Sequence, residues 1–264
     1  MTLPASTGMK AIILAAGRGL RLDGACGGVP KCLLQVGGQS LIERQLTCVR
    51  RLGIRDIVVV VGFESGRVAA ACGTGIRFVE NPIFDRTNSL YSLWLARSEL
   101  AGGFVVMNSD VLFHPALLSR LLKSEQEDAL LVSLQENHMP PLGEEEMKAK
   151  IEGNRLVDIS KSMPSGEAHG ENVGIARFGF EGSRLFVELM NRVIDRGGLK
   201  EWVPRVFQEF VAHRPLNVVS TAGYPWIEID FPEDYCRAVG EVFPMMSGAN
   251  VVSRSTSTRQ LEFG

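Results

Sequence analysis

The stretch KAIILAAGRGLRL, residues 10–22, decides how this chain is read. Ala11 to Ala16 is a run of six apolar residues, far short of the roughly 20 that cross a bilayer, and reads as a buried strand. Directly after it, Gly17 and Gly19 open a loop in which backbone N–H groups approach phosphate oxygens. Arg18, Arg21 and, after a short Gly-rich stretch, Lys31 of Pro30-Lys31-Cys32-Leu33 add cations at fixed places. Three cations around one loop repel one another unless they share an anion, so the loop is expected to hold a polyphosphate. Two glycines by themselves also suit a plain strand-to-helix turn. A dehydrogenase fingerprint, G-x-G-x-x-G, needs a third glycine where Leu22 stands, and no G-K-[ST] follows for a Walker loop.

Outward from this loop the pattern alternates strand and helix, the rhythm of an α/β fold with a mixed, mainly parallel sheet flanked by helices. Ser40 precedes Leu41, Ile42, Leu46, Val49 and Leu52 at helical spacing, with Glu43 completing a capping box and Gly53 closing the helix. Ile57 to Val61 and Ile76 to Val79 read as strands buried on both faces. A second helix starts at Asn88, and Phe104 to Met107 returns as a strand ending at Asn108-Ser109-Asp110. Leu117 to Leu122 is helical and Ala129 to Leu134 a strand. The polar segment Glu136 to Glu146 reads as an excursion on the active-site side, its acidic run Glu144 to Glu146 either closing over substrate or solvating a loop. Met147, Ala149 and Ile151 alternate with Lys148, Lys150 and Glu152 as a half-exposed strand. Further on come a strand within Glu171 to Phe180, helices over Phe186 to Ile194 and Trp202 to Phe210, and the alternating Trp226-Ile227-Glu228-Ile229-Asp230, with the two isoleucines on the opposite face. Pro232-Glu233-Asp234 opens a last helix.

At 264 residues, one large α/β domain or two small ones fit. No linker or repeat is visible, so one domain over 10–243 is expected, with a nucleotide half to about residue 110 and an acceptor half over 111–243. Residues 1–9 form a leader and 244–264 a loose tail. Hydrophobic residues make up 45%, enough for a core and against disorder. The 28 Lys plus Arg nearly balance 30 Asp plus Glu, which argues against a generic nucleic-acid or anionic-membrane binder. Five cysteines without a C-x-x-C pair, and a leader with no apolar h-region, place the chain in the cytoplasm. The four histidines lack ligand spacing, so no zinc is assigned. A homodimer stays open.

Leu14-Ala15-Ala16-Gly17-x-Gly19-x-Arg21-Leu22 followed by Pro30-Lys31-x-Leu33 resembles the signature of nucleotidyltransferases that join a nucleoside triphosphate to a phosphorylated small molecule. The resemblance continues through Asn81-Pro82, Thr87-Asn88, Ser92-Leu93, Met147-Lys148, Gly170-Glu171-Asn172-Val173-Gly174-Ile175 and Glu228-Ile229-Asp230-x-Pro232-Glu233-Asp234, nearly the whole folded part. It implies a Rossmann-like, glycosyltransferase-A type fold. The later motifs look most like small cytidylyltransferases acting on phosphocholine, 2-aminoethylphosphonate or related phosphonates. Leu20 departs from the pattern, since such loops often carry Ser or Thr there.

The expected reaction is CTP plus a small phosphate or phosphonate monoester giving a CDP-linked product and pyrophosphate. Arg18, Arg21 and Lys31 would stabilise the triphosphate. Leu14, Ala15, Ala16, Gly17 and Gly19 would border the nucleotide, and the resemblance adds Asn88 and Ser92 beside the pyrimidine; Asn88 equally suits a helix N-cap. Asp110 and Asp230 each end a strand, so both reach the crevice at the carboxyl ends of the sheet, and the resemblance assigns them Mg²⁺. Asp230 otherwise suits an N-cap before Pro232, and Asp110 a turn. Acceptor contacts are expected from Lys148, Glu171, Trp226 and Glu228; Lys148 also fits a solvent-facing strand position. The alternatives are a sugar-1-phosphate nucleotidyltransferase using UTP or dTTP, and a catalytically silent nucleotide-binding regulator, whose mark would be loss of Lys31, Asp110 or Asp230.

Overall fold

A computed structural model describes residues 8–22, 28–136, 139 and 141–247. Cys26, His138 and the stretches 1–7 and 248–264 lie outside the described residues.

Strand β1 (Lys10–Ala15) is buried from Ala11 onward. A small hairpin of β2 (Gln35–Val36) and β3 (Gln39–Ser40) leads into the helix Leu41–Arg51, whose N-cap Ser40 and Glu43 form the expected capping box. Next come β4 (Ile57–Val61), the helix Ser65–Cys72, β5 (Arg77–Glu80), the helix Ser89–Leu95, β6 (Phe104–Asn108), β7 (Val111–Phe113), the helix Pro115–Lys123 and β8 (Ala129–Leu134). The later part holds β9 (Lys148–Glu152), β10 (Arg155–Ser160), β11 (Gly170–Phe178), the helices Phe180–Asp195 and Pro204–Phe210, β12 (Asn217–Ser220), β13 (Trp226–Glu228) and the helices Pro232–Arg237 and Phe243–Ser247.

Nine strands form one sheet in the order β5-β4-β1-β6-β11-β8-β12-β10-β9. Parallel pairing runs through β5, β4, β1 and β6 and returns at β12–β8, while the remaining ladders are antiparallel. Parallel strands thus dominate the nucleotide half and not the rest. The chain leaves β1 for β4 on one side and comes back to β6 on the other, so the two sides part at β1, and such a switch point opens a crevice at the carboxyl ends. Alternate residues of β1 enter two different cores: Ile12 and Leu14 pack with Phe104, Phe178 and Phe186, whereas Ala11, Ile13 and Ala15 pack with Ile42, Leu46 and Val59.

Three expectations need correction. β5 is the outermost strand with β4 as its single neighbour, so Phe78 is 38% exposed instead of buried on both faces. Lys148, expected on a solvent-facing register, is 2% exposed, because β9 is flanked by both β10 and β11. Residues 244–247, expected in a loose tail, are helical, tied down by Phe243 and Met246 against the core around Leu22, Leu41 and Ile229.

Candidate active site

The loop after β1 is held from two sides. The Ala16 carbonyl accepts from Phe63 N at 3.1 Å, and the Leu14 carbonyl from Ser109 N at 3.2 Å. Gly19 has φ +72°, and a Cβ there would stand 2.6 Å from Lys31 Cγ. Only glycine combines that backbone with passage of the lysine stem. Gly17 differs, since a Cβ would meet nothing within 4 Å; the chain leaves this place open beside the crevice.

Lys31 starts a short turn, Lys31–Leu33, anchored by buried Cys32. Its Nζ donates to Asp110 Oδ2 at 3.1 Å and to Asp230 Oδ1. Arg21 stands behind, 3.7 Å from Asp230 Oδ2, and donates to Glu145 Oε2 at 3.1 Å. The sequence argument that these cations require a ligand anion therefore loses its force for Lys31 and Arg21, because the protein's own carboxylates meet them. Burial alone would lower the Lys31 pKa, but Asp110 and Asp230 outweigh it and raise it. Burial would likewise raise the Asp230 carboxyl; Lys31, then Arg21 and Lys161, hold it below its ordinary value.

The two aspartates are brought together by main-chain pairing. β7 pairs with β13, Glu228 opposite Val111, and Ile229 N donates to the Asp110 carbonyl at 3.1 Å. Buried Gln45 fixes the Asp110 turn by donating from Nε2 to the carbonyls of Asn108 at 2.9 Å and Val111 at 3.0 Å. Asp230 is not the N-cap: Asp234 accepts from the amides of Asp230 and Phe231, at 3.1 and 2.9 Å, which leaves the Asp230 carboxylate to face Lys31. Asp110 Oδ1 is buried with no hydrogen-bond partner among the described residues. An orphaned buried carboxylate oxygen costs stability unless a cation meets it. Among the described residues no group of three or more His, Cys, Asp and Glu is arranged for a metal. Two carboxylates with triphosphate oxygens are nevertheless a donor set that suits Mg²⁺.

A cavity of about 290 Å³ occupies the crevice, bordered by Leu14, Ala16, Gly17, Arg21, Lys31, Asn88, Ser92, Asp110, Glu228 and Asp230 among the expected residues. Asn88 is also the N-cap of its helix, its Oδ1 accepting from Ser89 N at 2.8 Å. Asn81 Nδ2 donates to Ser92 Oγ and Thr87 Oγ1, both at 3.0 Å, and so fixes that wall. Burial first, then Asp110 and Asp230, push the Glu228 carboxyl up to about 8.

Several expected residues do not border the cavity. Ala15 is buried within the sheet and Gly19 lies under the Lys31 stem. The Arg18 guanidinium sits over the Phe63 ring, 5.3 Å from its centroid. Trp226 lies at the start of β13 opposite Phe113, packed on the core. Lys148 and Glu171 face each other across β9 and β11. Lys148 Nζ donates to the Lys161 carbonyl at 2.7 Å, while burial, and Glu146 next, push the Glu171 carboxyl up to about 7.

Lys161, Ser109, Asn172 and Trp202, none of which the sequence reading named as a site residue, also border the cavity. Lys161 Nζ lies 5.3 Å from the Trp202 ring centroid and donates to Glu145 Oε2 at 3.3 Å. The signal available was a lysine just past a strand, in Asp158-Ile159-Ser160-Lys161-Ser162. Gly174, φ +79°, is required because a Cβ would stand 2.7 Å from Asn108 Nδ2.

Comparisons with known proteins show what the chain is similar to. The family profile "MobA-like NTP transferase domain" matches residues 11–162, more than half of the chain. The "Bifunctional IPC transferase and DIPP synthase" of Rubrobacter xylanophilus is 32% identical over 231 residues, 86% of this chain and 50% of that protein. The "CMP-5'-(3-aminopropyl)phosphonate synthase" of Streptomyces rubellomurinus is 32% identical over 248 residues, 89% of this chain and 39% of that protein. The chain thus spans about half or less of the length of these curated relatives. Among solved structures, the inositol-1-phosphate CTP transferase from T. maritima superposes with a TM-score of 0.74 at 24% identity, covering 91% of this chain and 96% of that one. That likeness establishes the fold. Among the described residues no helix is long and apolar enough to cross a membrane.

Proposed function

Because the chain belongs to the MobA-like NTP transferase domain family, we propose that it transfers CMP from CTP to a small phosphate or phosphonate monoester, releasing pyrophosphate. The observation that carries this reading is Lys31 held between Asp110 and Asp230 at the switch-point crevice, with Arg21 behind. The cytidine and the phosphonate are suggested by the similar CMP-5'-(3-aminopropyl)phosphonate synthase and by the structurally similar inositol-1-phosphate CTP transferase. The cytoplasmic placement read from the sequence belongs to the same proposal.

In this account the acceptor's anionic oxygen attacks the α-phosphorus of CTP and pyrophosphate departs. That oxygen is already ionised near neutral pH, so neither a side-chain nucleophile nor a base is required. Lys31 and Arg21 offset charge on the triphosphate, where each positioned donor is worth about 2.7–4 kcal/mol of barrier. The open space at Gly17 admits phosphate oxygens to the backbone, and Asn88 and Ser92 border the base. Asp110 and Asp230 would hold Mg²⁺, which neutralises phosphate charge when bound. Lys161, Trp202 and Glu228 all border the cavity; in this reading Lys161 holds the acceptor's phosphoryl or phosphonate oxygens, with Trp202 and Glu228 toward its head group. Lys148, assigned from sequence to the acceptor itself, supports Lys161 through its carbonyl.

The test crosses the four NTPs with phosphocholine, 2-aminoethylphosphonate, inositol phosphate and hexose phosphates, following pyrophosphate release. Turnover confined to CTP and a small head group is the expected result. Turnover with UTP or dTTP and a hexose phosphate would replace this reading with a sugar-1-phosphate nucleotidyltransferase.

A further inference from the structure

Two cations border the crevice from distant parts of the chain, Arg21 from the loop after β1 and Lys161 from just past β10. One carboxylate oxygen joins them. Glu145 Oε2 accepts from Arg21 Nη1 at 3.1 Å and from Lys161 Nζ at 3.3 Å. Lys161, then Arg21, holds the Glu145 carboxyl below its ordinary value, so it is ionised near neutral pH. Glu145 takes no part in the proposed transfer, yet it meets the two cations that serve the triphosphate and the acceptor.

All three partners are held in place by other contacts. Glu145 stands between two tied points, the Leu142 carbonyl, which accepts from the Ser165 hydroxyl, and the Met147 carbonyl, which accepts from Asn172 N at 2.9 Å. Lys161 is fixed through its carbonyl, which accepts from buried Lys148 Nζ at 2.7 Å, and its ammonium lies 5.3 Å from the Trp202 ring centroid. The Arg21 guanidinium lies 4.9 Å from the Phe231 ring centroid and 3.7 Å from Asp230 Oδ2. The neighbouring Glu144 is exposed and joins no ion pair among the described residues.

We propose that Glu145 is a built-in competitor for the substrate anions: it ties Arg21 to Lys161, and phosphate oxygens must displace it to reach either cation. A phosphate oxygen on Arg21 or Lys161 brings a second anion beside the Glu145 carboxylate, and like charges at that range repel. The displacement is an easy one, because the side chains are half-exposed for Arg21 and Glu145 and only partly buried for Lys161. An exposed pair of this kind is worth up to about fivefold in an equilibrium constant, enough to set how tightly the crevice holds its anions without closing it to them. The competition for the acceptor rests on the proposed cytidylyl transfer; the competition with a polyphosphate does not.

The test uses the full chain with Glu145→Gln, and with Glu144→Gln as the control that removes the same charge one residue away. Calorimetry follows the binding of CTP with Mg²⁺ and of inorganic tripolyphosphate, a probe that needs the cations and no base. The expected result is that Glu145→Gln tightens both about threefold more than Glu144→Gln does, and that this gain for CTP disappears in an Arg21→Met background. In steady-state kinetics with 2-aminoethylphosphonate, Glu145→Gln should lower KM for the acceptor by a similar factor, and fail to do so in Lys161→Met, since Lys161 is the group through which Glu145 acts. Weaker binding of CTP and tripolyphosphate in Glu145→Gln would show that the carboxylate positions the cations for substrate and would overturn the proposal, as would a gain no larger than that of Glu144→Gln or no binding of tripolyphosphate at millimolar concentration. Tighter tripolyphosphate binding in Glu145→Gln, with no turnover of CTP across the acceptor panel, would refute the proposed reaction and leave the competition standing.

Discussion

Replacing Lys31 by methionine keeps the stem that passes Gly19 and removes the charge between two carboxylates. At 3.1 Å and an effective dielectric near 20, one such pair is worth about 5 kcal/mol before desolvation. The side chains are 15% exposed for Lys31, 22% for Asp110 and 27% for Asp230, and regaining lysine solvation offsets much of that. The net loss of stability is set at about 1–3 kcal/mol, a fall in Tm of roughly 3–8 °C. Turnover should fall further, by about 100- to 1000-fold, because the ammonium also faces developing phosphate charge. Differential scanning calorimetry and pyrophosphate release measure the two. Lys31→Met/Asp110→Asn should recover part of the stability, since one stranded charge is gone, without recovering turnover; the coupling is read as a double-mutant cycle. Mg²⁺ should raise the Tm of Lys31→Met more than that of the unaltered protein, as the carboxylates are released to it. Full turnover in folded Lys31→Met, or a double variant as unstable as the sum of the singles, would refute the electrostatic reasoning.

The two glycines of the loop should separate. Gly17→Ala meets open space and should leave Tm unchanged while weakening CTP, whereas Gly19→Ala should cost about 1–2 kcal/mol of stability from its backbone alone, checked by denaturant unfolding and CTP titration. Glu171 carries a folded-state pKa of about 7 against an ordinary 4.5, raised chiefly by burial. The favourable contribution of its protonated form is thus present below about pH 4.5 and lost as pH rises through 7. Glu171→Gln should accordingly stabilise the protein at pH 8 by on the order of 1 kcal/mol and change little at pH 4, in paired thermal melts. Lys161→Met should raise KM for the acceptor about tenfold or more while leaving KM for CTP near its original value, read from steady-state kinetics with each substrate varied. Chelation of divalent ions should abolish pyrophosphate release, and added Mg²⁺ should restore it in the unaltered protein but not in Asp110→Asn.

Much of the nucleotide side was legible in the chain because local signals and tertiary placement coincide there. An apolar run followed by glycines announces a central strand and its loop, and Ser40 with Glu43 announces a helix start. Asp110 and Asp230 were readable as strand ends, although the pairing of β7 with β13 that sets them on either side of Lys31 has no local signature. Periodicity failed where solvent exposure depends on sheet order. β5 has an apolar pattern yet lies at the edge, and Lys148 has a polar neighbourhood yet lies between two strands. The acceptor end was the least legible for the same reason. Lys161, Asn172 and Trp202 converge from three separate segments, and Trp226, which alternation puts on the face of Glu228 and Asp230, is taken by the core around Phe113. The cation-repulsion argument drew a fair inference from one loop and lacked the carboxylates that distant segments bring to it.

The central claim is tested most directly by ³¹P NMR of the protein with Mg²⁺, CTP and 2-aminoethylphosphonate or phosphocholine. The account predicts that the triphosphate resonances give way to pyrophosphate and to a coupled pair from a mixed anhydride containing CMP, and that Asp230→Asn abolishes both. Formation of inorganic phosphate and CDP without the mixed anhydride, or an anhydride that forms equally well in Asp230→Asn, would contradict it.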